Sequence, residues 1–359
     1  MPPVLIIEDD RFLRVVEVVL DPKASAERRA AYTDFFAHDE PDFDGWCAKL
    51  RQRVPRLYPA EVRMVEDQDA LRRNLADANA LIVESLSVGA DEIAAAPRLK
   101  AVQKYGVDLR RIDGAACAGK NVTVLTLRRR ANIACAELAL TLMLMLSRRV
   151  NELQGRISAE ALAAFGHAYK PFDRRHTPNS NWGRVPGLKI LYGTTVGIVG
   201  LGEIGREFAM RAAAFGMRIL YTQRQQAPAA IEQQFHATYR PMADLLAESD
   251  WVVPFVPSVP ATQNLIGHSE FLRMRPGARL INISRANVVD RAALLEALRA
   301  GRLGGFALDP LYDTPGRDDD ELLKFPNVIM TPHIAAQPRF NALDDLEEMI
   351  VGLSRVVAS

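Results

Sequence analysis

The stretch Thr195-Val-Gly-Ile-Val-Gly200-Leu-Gly202-Glu203-Ile204-Gly205 decides the fold. An apolar strand, Val196–Val199, runs straight into glycines spaced G-x-G-x-x-G, and a helical pattern follows from Arg206 to Phe215. Each glycine has a separate physical duty. Gly200 allows a tight turn, Gly202 lets a pyrophosphate approach the backbone, and Gly205 permits close helix–strand contact. The helix N-terminus at Glu203 and Ile204 offers amide donors to phosphates. If these were turn glycines alone, their spacing would go unexplained. With a strand before and a helix after, they predict a dinucleotide site.

Working outward, the next strand, Arg218–Thr222, ends at Gln223-Arg224. NAD-selective folds place Asp or Glu there to accept hydrogen bonds from the adenosine ribose. Gln223 is neutral and Arg224 can neutralise a 2′-phosphate, so the cofactor reading leans to NADP. The alternative is NAD bound through Gln223, with Arg224 a solvated surface residue.

The rest of the chain keeps the same rhythm. Val4–Ile7, Ala80–Val83 and Leu99–Gln103 read as strands, with helix-like stretches such as Asp69–Ala76 between them. Such alternation predicts a parallel sheet covered by helices. Lys23–Leu57, charged and aromatic, fits poorly and reads as a helical insertion or extended loop. A long helix is expected over Ala131–Val150. Gly155–Pro186 mixes Gly, Pro, His, Asn and Arg and reads as loop with a short helix, a length of irregular chain that is usually functional or wrapped around a partner.

Size and composition narrow the function classes. At 359 residues, two domains are the first expectation. The 45 basic side chains nearly balance 44 acidic ones, so charge gives no reason to seek nucleic acid or an anionic membrane. Cys47, Cys117 and Cys135 show no C-x-x-C spacing, which argues against disulfides or zinc and fits a reducing cytoplasm. No pair of His, Cys or carboxylates has metal spacing. No secretory signal is expected at the N-terminus. The apolar run Ala134–Leu146 falls short of the ~20 residues of a membrane span and reads as a buried helix.

The chemistry-bearing residues lie further on. Leu280-Ile-Asn-Ile283-Ser284-Arg285 is followed by a helix over Arg291–Ala300, then by Gly304-Gly-Phe-Ala-Leu-Asp309 and Val328-Ile-Met-Thr-Pro-His333. Each polar residue ends an apolar strand, where open α/β sheets place their ligands. An arginine clamps a carboxylate in bidentate fashion and polarises a keto oxygen. A histidine donates or removes a hydroxyl proton near neutral pH. The set suits hydride transfer to a carbonyl.

These motifs, with Pro257-Ser-Val-Pro-Ala-Thr-Gln-Asn-Leu-Ile-Gly267 and Met274-Arg-Pro-Gly277, resemble the D-isomer-specific 2-hydroxyacid dehydrogenase family over roughly residues 80–340. Leu220-Tyr-Thr-Gln-Arg-Gln225 looks like members that reduce glyoxylate or hydroxypyruvate with NADPH. The resemblance implies two doubly wound parallel-sheet α/β domains, Rossmann-like and flavodoxin-like, with a cleft between them. It implies a discontinuous substrate domain, 1–128 with 335–359, and an NAD(P)-binding domain, 129–334. It also implies a homodimer to which the apolar helix Ile133–Leu146 contributes. Carried over, Arg285 binds the substrate carboxylate and carbonyl, and His333 is the acid/base. Asp309 lies near the nicotinamide, and Pro257, Ile283 and Ser284 line the cofactor.

Three departures stand out. The family places a glutamate five residues after the aspartate, bonded to the histidine. Here Thr314 holds that place with Asp313 beside it, and threonine cannot stabilise imidazolium as a carboxylate does. Asp108, after Val107, replaces a glycine whose neighbouring amides bind the substrate carboxylate, and reads either as a substrate contact or as a turn cap. Arg128-Arg129-Arg130 occupies a loop that usually borders the active site. Arg130 is a candidate for a larger or more anionic substrate, against a solvated charge run. Two other readings stay open: a redox-neutral step with retained nicotinamide, and a nucleotide-sensing binding protein.

Overall fold

The computed structural model describes residues 2–357. The chain divides into two compact units, Met1–Asn132 with Ala336–Ser359, and Ile133–Ala335.

The first unit is built on β1 (Val4–Glu8), β2 (Glu61–Val65), β3 (Ala80–Val83), β4 (Ala101–Lys104) and β5 (Thr123–Leu125). They pair in parallel in the order β2-β1-β3-β4-β5, the flavodoxin-like arrangement. Alternate residues feed a separate core on each face. Leu5, Ile7 and Ile82 enter one core, Val4, Ile6 and Leu81 the other. β4 starts later than expected because Leu99 is held in a turn, its amide bonded to the Ala96 carbonyl. The helix expected over Asp69–Ala76 runs Gln68–Arg73, started by Asp67, whose side chain accepts from the Ala70 amide. Lys23–Leu57 proves helical: Ala26–Phe36 and Phe43–Arg53 bury Phe36, Phe43, Cys47 and Leu50. The aromatics that broke the pattern stack on one another, Phe36 on Phe43 and Phe43 on Trp46.

The second unit carries β6 (Thr195–Val199), β7 (Arg218–Thr222), β8 (Ala237–Tyr239), β9 (Trp251–Pro254), β10 (Arg279–Asn282), β11 (Gly305–Leu308) and β12 (Val328–Met330). Their order is β12-β11-β10-β9-β6-β7-β8, all parallel. Strand order reverses between β6 and β9, which opens the crevice where such sheets bind ligands. Val196, Ile198 and Ile281 pack one face, Leu220, Leu280 and Phe306 the other.

The helix expected over Ala131–Val150 spans Arg130–Arg148. At 19 residues it is long and apolar enough to cross a membrane by length and composition, and less than half of its apolar stretch is buried. It is thus less buried than expected. Ala136, Ala139, Leu142 and Met143 enter the second unit's core, while Ile133, Cys135, Leu138 and Leu144 are half-exposed. Within 155–186 the short helix is Ala159–Ala164.

Candidate active site

The glycine loop has the geometry its spacing predicts. Gly200, at the end of β6, has φ +102°, and a Cβ there would lie 2.6 Å from the Phe255 carbonyl oxygen. The chain leaving β9 therefore closes one wall of the crevice. A Cβ on Gly205 would lie 2.3 Å from the Gly200 oxygen, so the helix crosses the strand at a distance only glycine permits. At Gly202 a Cβ would meet nothing within 4 Å. That glycine serves no internal packing, and the space above it is what a pyrophosphate needs. The helix begins at Glu203, earlier than the pattern suggested, with Gly202 as its N-cap. Glu203 and Ile204 stand in its first turn, where amides are unused by the helix. This cradle fits a dinucleotide.

Gln223 follows β7. Its amide oxygen accepts from the Leu201 amide at 3.3 Å and its Nε2 donates to the Gln225 carbonyl at 2.7 Å, so it braces the glycine loop. Arg224 is exposed. Beyond β9, Pro257 is exposed, and its carbonyl accepts from the Thr262 hydroxyl at 2.5 Å.

β10 ends in Asn282, which is fully buried. Its Nδ2 donates to the Arg285 carbonyl at 2.8 Å, and its Oδ1 accepts from the Ser284 amide and hydroxyl at 3.0 and 2.9 Å. Ile283 is buried and Ser284 half-buried, whereas Arg285 is exposed, its Nη1 donating to the Ser284 carbonyl at 2.7 Å. β11 leads to Asp309, also fully buried. Its carboxylate accepts from the Thr331 hydroxyl (2.7 Å) and the amides of Ile334 (2.8 Å) and Ala335 (2.9 Å). The Asp309 carbonyl accepts from the His333 amide at 3.0 Å. His333 itself sits at φ +57°, its ring exposed and without a hydrogen-bond partner among the described residues.

Along the carboxyl edge of the sheet the order is therefore Gln223, Gly200, Pro257, Arg285, Asp309, His333, following the strand order β7-β6-β9-β10-β11-β12. Arg285 and His333 leave strands two places apart, roughly 10 Å at the usual interstrand spacing. Asn282 and Thr331 escaped notice in the sequence. The available signal was a polar residue closing an apolar strand.

Two expectations need correction. Neither Asp313 nor Thr314 bonds to His333: both lie in the exposed run 313–319, and the charge of Asp313 is felt by Arg317. The turn after β11 carries them outward, and the chain beneath the histidine is held by Asp309 together with the Thr331 carbonyl, which also accepts from the His333 amide at 2.9 Å. In the first unit, Arg130 is not a free guanidinium. Its amide and Nη1 bond to Asp345 (2.9 and 2.8 Å) and its Nη2 to Glu348 (2.9 Å), which ties it to the helix Phe340–Val357.

Other first-unit residues fall as follows. Asp108 accepts from the Arg110 amide at 3.1 Å and pairs with its guanidinium, so it caps the turn and its charge is answered locally. Val107 is exposed beside it. Arg129 pairs with Glu84 at 3.1 Å and lies 4.1 Å from the Tyr105 ring centroid. Burial pushes the Glu84 carboxyl up, and Arg129 opposes that shift.

A reversal-point glycine cradle beside an arginine and a histidine on strand ends defines a nicotinamide-dependent oxidoreductase. Residues 140–335 match the family described as D-isomer specific 2-hydroxyacid dehydrogenase, NAD binding domain, and the chain belongs to that family. The glyoxylate reductase of Thermococcus gammatolerans is 34% identical over 284 residues, covering 79% of this chain and 80% of its own length. The PH0520 protein of Pyrococcus horikoshii has the same fold, with TM-score 0.57 at 22% identity over 98% of this chain and 90% of that one. So has D-mandelate dehydrogenase of Rhodotorula graminis, at 0.56 and 24% over 98% and 93%. The chain is thus an enzyme that transfers hydride between a nicotinamide cofactor and a 2-oxo acid.

Proposed function

We propose that this enzyme reduces a small, anionic 2-oxo acid of the glyoxylate or hydroxypyruvate type, with Arg285 and His333 as its catalytic residues and NADPH as the preferred reductant. The glycine loop would hold a nicotinamide dinucleotide, whose chemistry there would be to supply the hydride for C2 of the substrate. Arg285 pairs with the substrate carboxylate and polarises the C2 oxygen. His333 gives that oxygen its proton, completing the 2-hydroxy acid. In the reverse direction the same ring accepts the hydroxyl proton.

The observation that carries this reading is the pair of exposed side chains, Arg285 and His333, on saturated and buried strand ends. Support for NADPH is the lack of an acidic residue after β7 and the exposed Arg224. The half-exposed apolar face of Arg130–Arg148 supports a homodimer, and three free cysteines suit a reducing cytoplasm. Loss of nicotinamide absorbance is to be followed with glyoxylate, hydroxypyruvate and pyruvate. Turnover should favour NADPH, and Arg224→Ala should shrink that preference while sparing NADH. No oxidation of either cofactor with any of these acids would refute the proposal.

A further inference from the structure

We infer that Asn282 and Asp309 are positioning residues that divide the chemistry between them, Asn282 governing substrate binding through Arg285 and Asp309 governing proton transfer through His333. The inference rests on the functional reading above.

Both residues are fully buried, at the ends of neighbouring strands that are otherwise largely apolar. Burying such a group costs free energy unless every polar atom finds a partner. A leucine at either position would serve the core at no such cost, so the polar atoms must act on something else. What they act on is in each case the turn that follows. Asn282 spends its donor on the carbonyl of Arg285 and its acceptor on Ser284, fixing these two consecutive residues against the strand. Arg285 is exposed, and among the described residues its one side-chain bond runs to its own loop. Its placement is therefore inherited from the backbone that Asn282 holds.

Asp309 does the same for the histidine from two sides. Its carbonyl takes the His333 amide, and its carboxylate takes the next two amides and the Thr331 hydroxyl. Between those anchors His333 adopts a left-handed backbone conformation that non-glycine residues avoid at a cost of order 1 kcal/mol. Among the described residues the ring has no hydrogen-bond partner, so its placement too is inherited from this turn. The Asp309 amide donates to the Asn282 carbonyl at 3.1 Å, which sets the two turns side by side. No side-chain bond of Asn282 reaches the histidine turn, and none from the Asp309 carboxylate reaches the arginine turn. Their effects should therefore separate.

The test is steady-state kinetics of the holoenzyme with a 2-oxo acid that the unsubstituted enzyme reduces, each variant first checked for cooperative melting. Asn282→Ala should raise KM about tenfold and leave kcat within about threefold. Asp309→Asn should lower kcat about tenfold or more and leave KM within about threefold. Ser284→Ala and Thr331→Val remove single bonds from the same two networks. They should show the same split at smaller size, and they carry the test if a larger change prevents folding. A role in stability alone would move kcat and KM together, or the melting temperature only. Either outcome overturns the inference. Arg285→Gln and His333→Gln calibrate the split. If they fail to raise KM and lower kcat respectively, the functional reading falls and takes this one with it. If they behave and the residues behind them do not, this inference alone is wrong.

Discussion

Two glycines three residues apart should respond in opposite ways to the same added methyl group. At Gly202 the backbone is extended, with φ −77° and ψ −163°, a conformation alanine adopts freely, and a Cβ would meet nothing within 4 Å. The only penalty to folding is the poorer helix cap, about 0.5–1 kcal/mol. For a unit of this size that lowers Tm by about 2–4 °C at most. The methyl does occupy the space left for a pyrophosphate. Displacing that group would forfeit one or two charge-assisted hydrogen bonds, about 1.5–3 kcal/mol each, and weaken dinucleotide binding by about tenfold or more.

At Gly205 the methyl would stand 2.3 Å from the Gly200 oxygen, and ordinary contact begins near 3.4 Å. Helix and loop must part by about 1 Å, an overpacking cost of about 1–3 kcal/mol, with up to about 1 kcal/mol returned by alanine's better helix propensity. Gly205→Ala should therefore melt several degrees below the parent and distort the loop that holds the cofactor. Circular dichroism melting and fluorescence titration with NADPH measure both quantities on the same samples. A Gly202→Ala protein that binds NADPH like the parent would refute the reasoning. So would one that melts as low as Gly205→Ala.

Arg130→Met should destabilise the protein by about 2–4 kcal/mol, because it strands the buried Asp345 carboxylate, whereas Asp345→Asn should cost less. Burial pushes the Asp345 carboxyl up, so the folded state holds its proton more tightly than the unfolded chain and this group's contribution falls as pH rises through the raised value. The Tm gap between Arg130→Met and the parent should widen over that rise and stay flat in a double variant with Asp345→Asn. If either protein folds with impaired turnover at unchanged stability, Arg130 touches the substrate after all. Asp313→Ala and Thr314→Ala should leave kcat within about twofold, and a tenfold loss in either would restore a catalytic role. The Cys47 thiol is pushed up to about 12 by burial, so it should resist Ellman's reagent at pH 8 until the protein is denatured. Fast labelling of Cys47 in the folded state would contradict its burial.

The parts of the site that were legible in the sequence are those governed by short-range rules. The glycine loop is a strand, a turn and a helix within eleven residues, and each glycine answers a local steric demand. Arg285, Asp309 and His333 could be placed because residues that close apolar strands in a parallel sheet share one edge. Arg130 could not be read this way. Its partner Asp345 is 215 residues away, and nothing in the arginine triplet distinguishes a committed guanidinium from a free one. The same holds for Lys23–Leu57, whose helices are amphipathic only with respect to an aromatic stack that forms between them. Thr314 and Asp313 were aligned by counting residues, and counting cannot see the turn that carries them outward.

The histidine shows what this distribution of contacts means for the proposed catalysis. Where a carboxylate bonds directly to a catalytic imidazole, one contact fixes both the ring's orientation and the charge beside it. Here the buried carboxylate of Asp309 is spent on the amides and the Thr331 hydroxyl around His333, and the ring has no hydrogen-bond partner among the described residues. Arg285 follows the same plan, with Asn282 saturating its turn while the guanidinium stays exposed. Both side chains thus rise from turns that buried polar residues fix, and the guanidinium makes only a weakly constraining contact within its own loop, to the Ser284 carbonyl. Ordering such side chains costs up to about 1.5–2 kcal/mol for an arginine. In the proposed reaction that cost falls on substrate binding rather than on folding. A substrate that engages Arg285 bidentately recovers most of it through two parallel hydrogen bonds to a planar acceptor. On the proposed role of Arg285, a carbonyl compound without a carboxylate would recover none of it and should be a poor substrate for that reason.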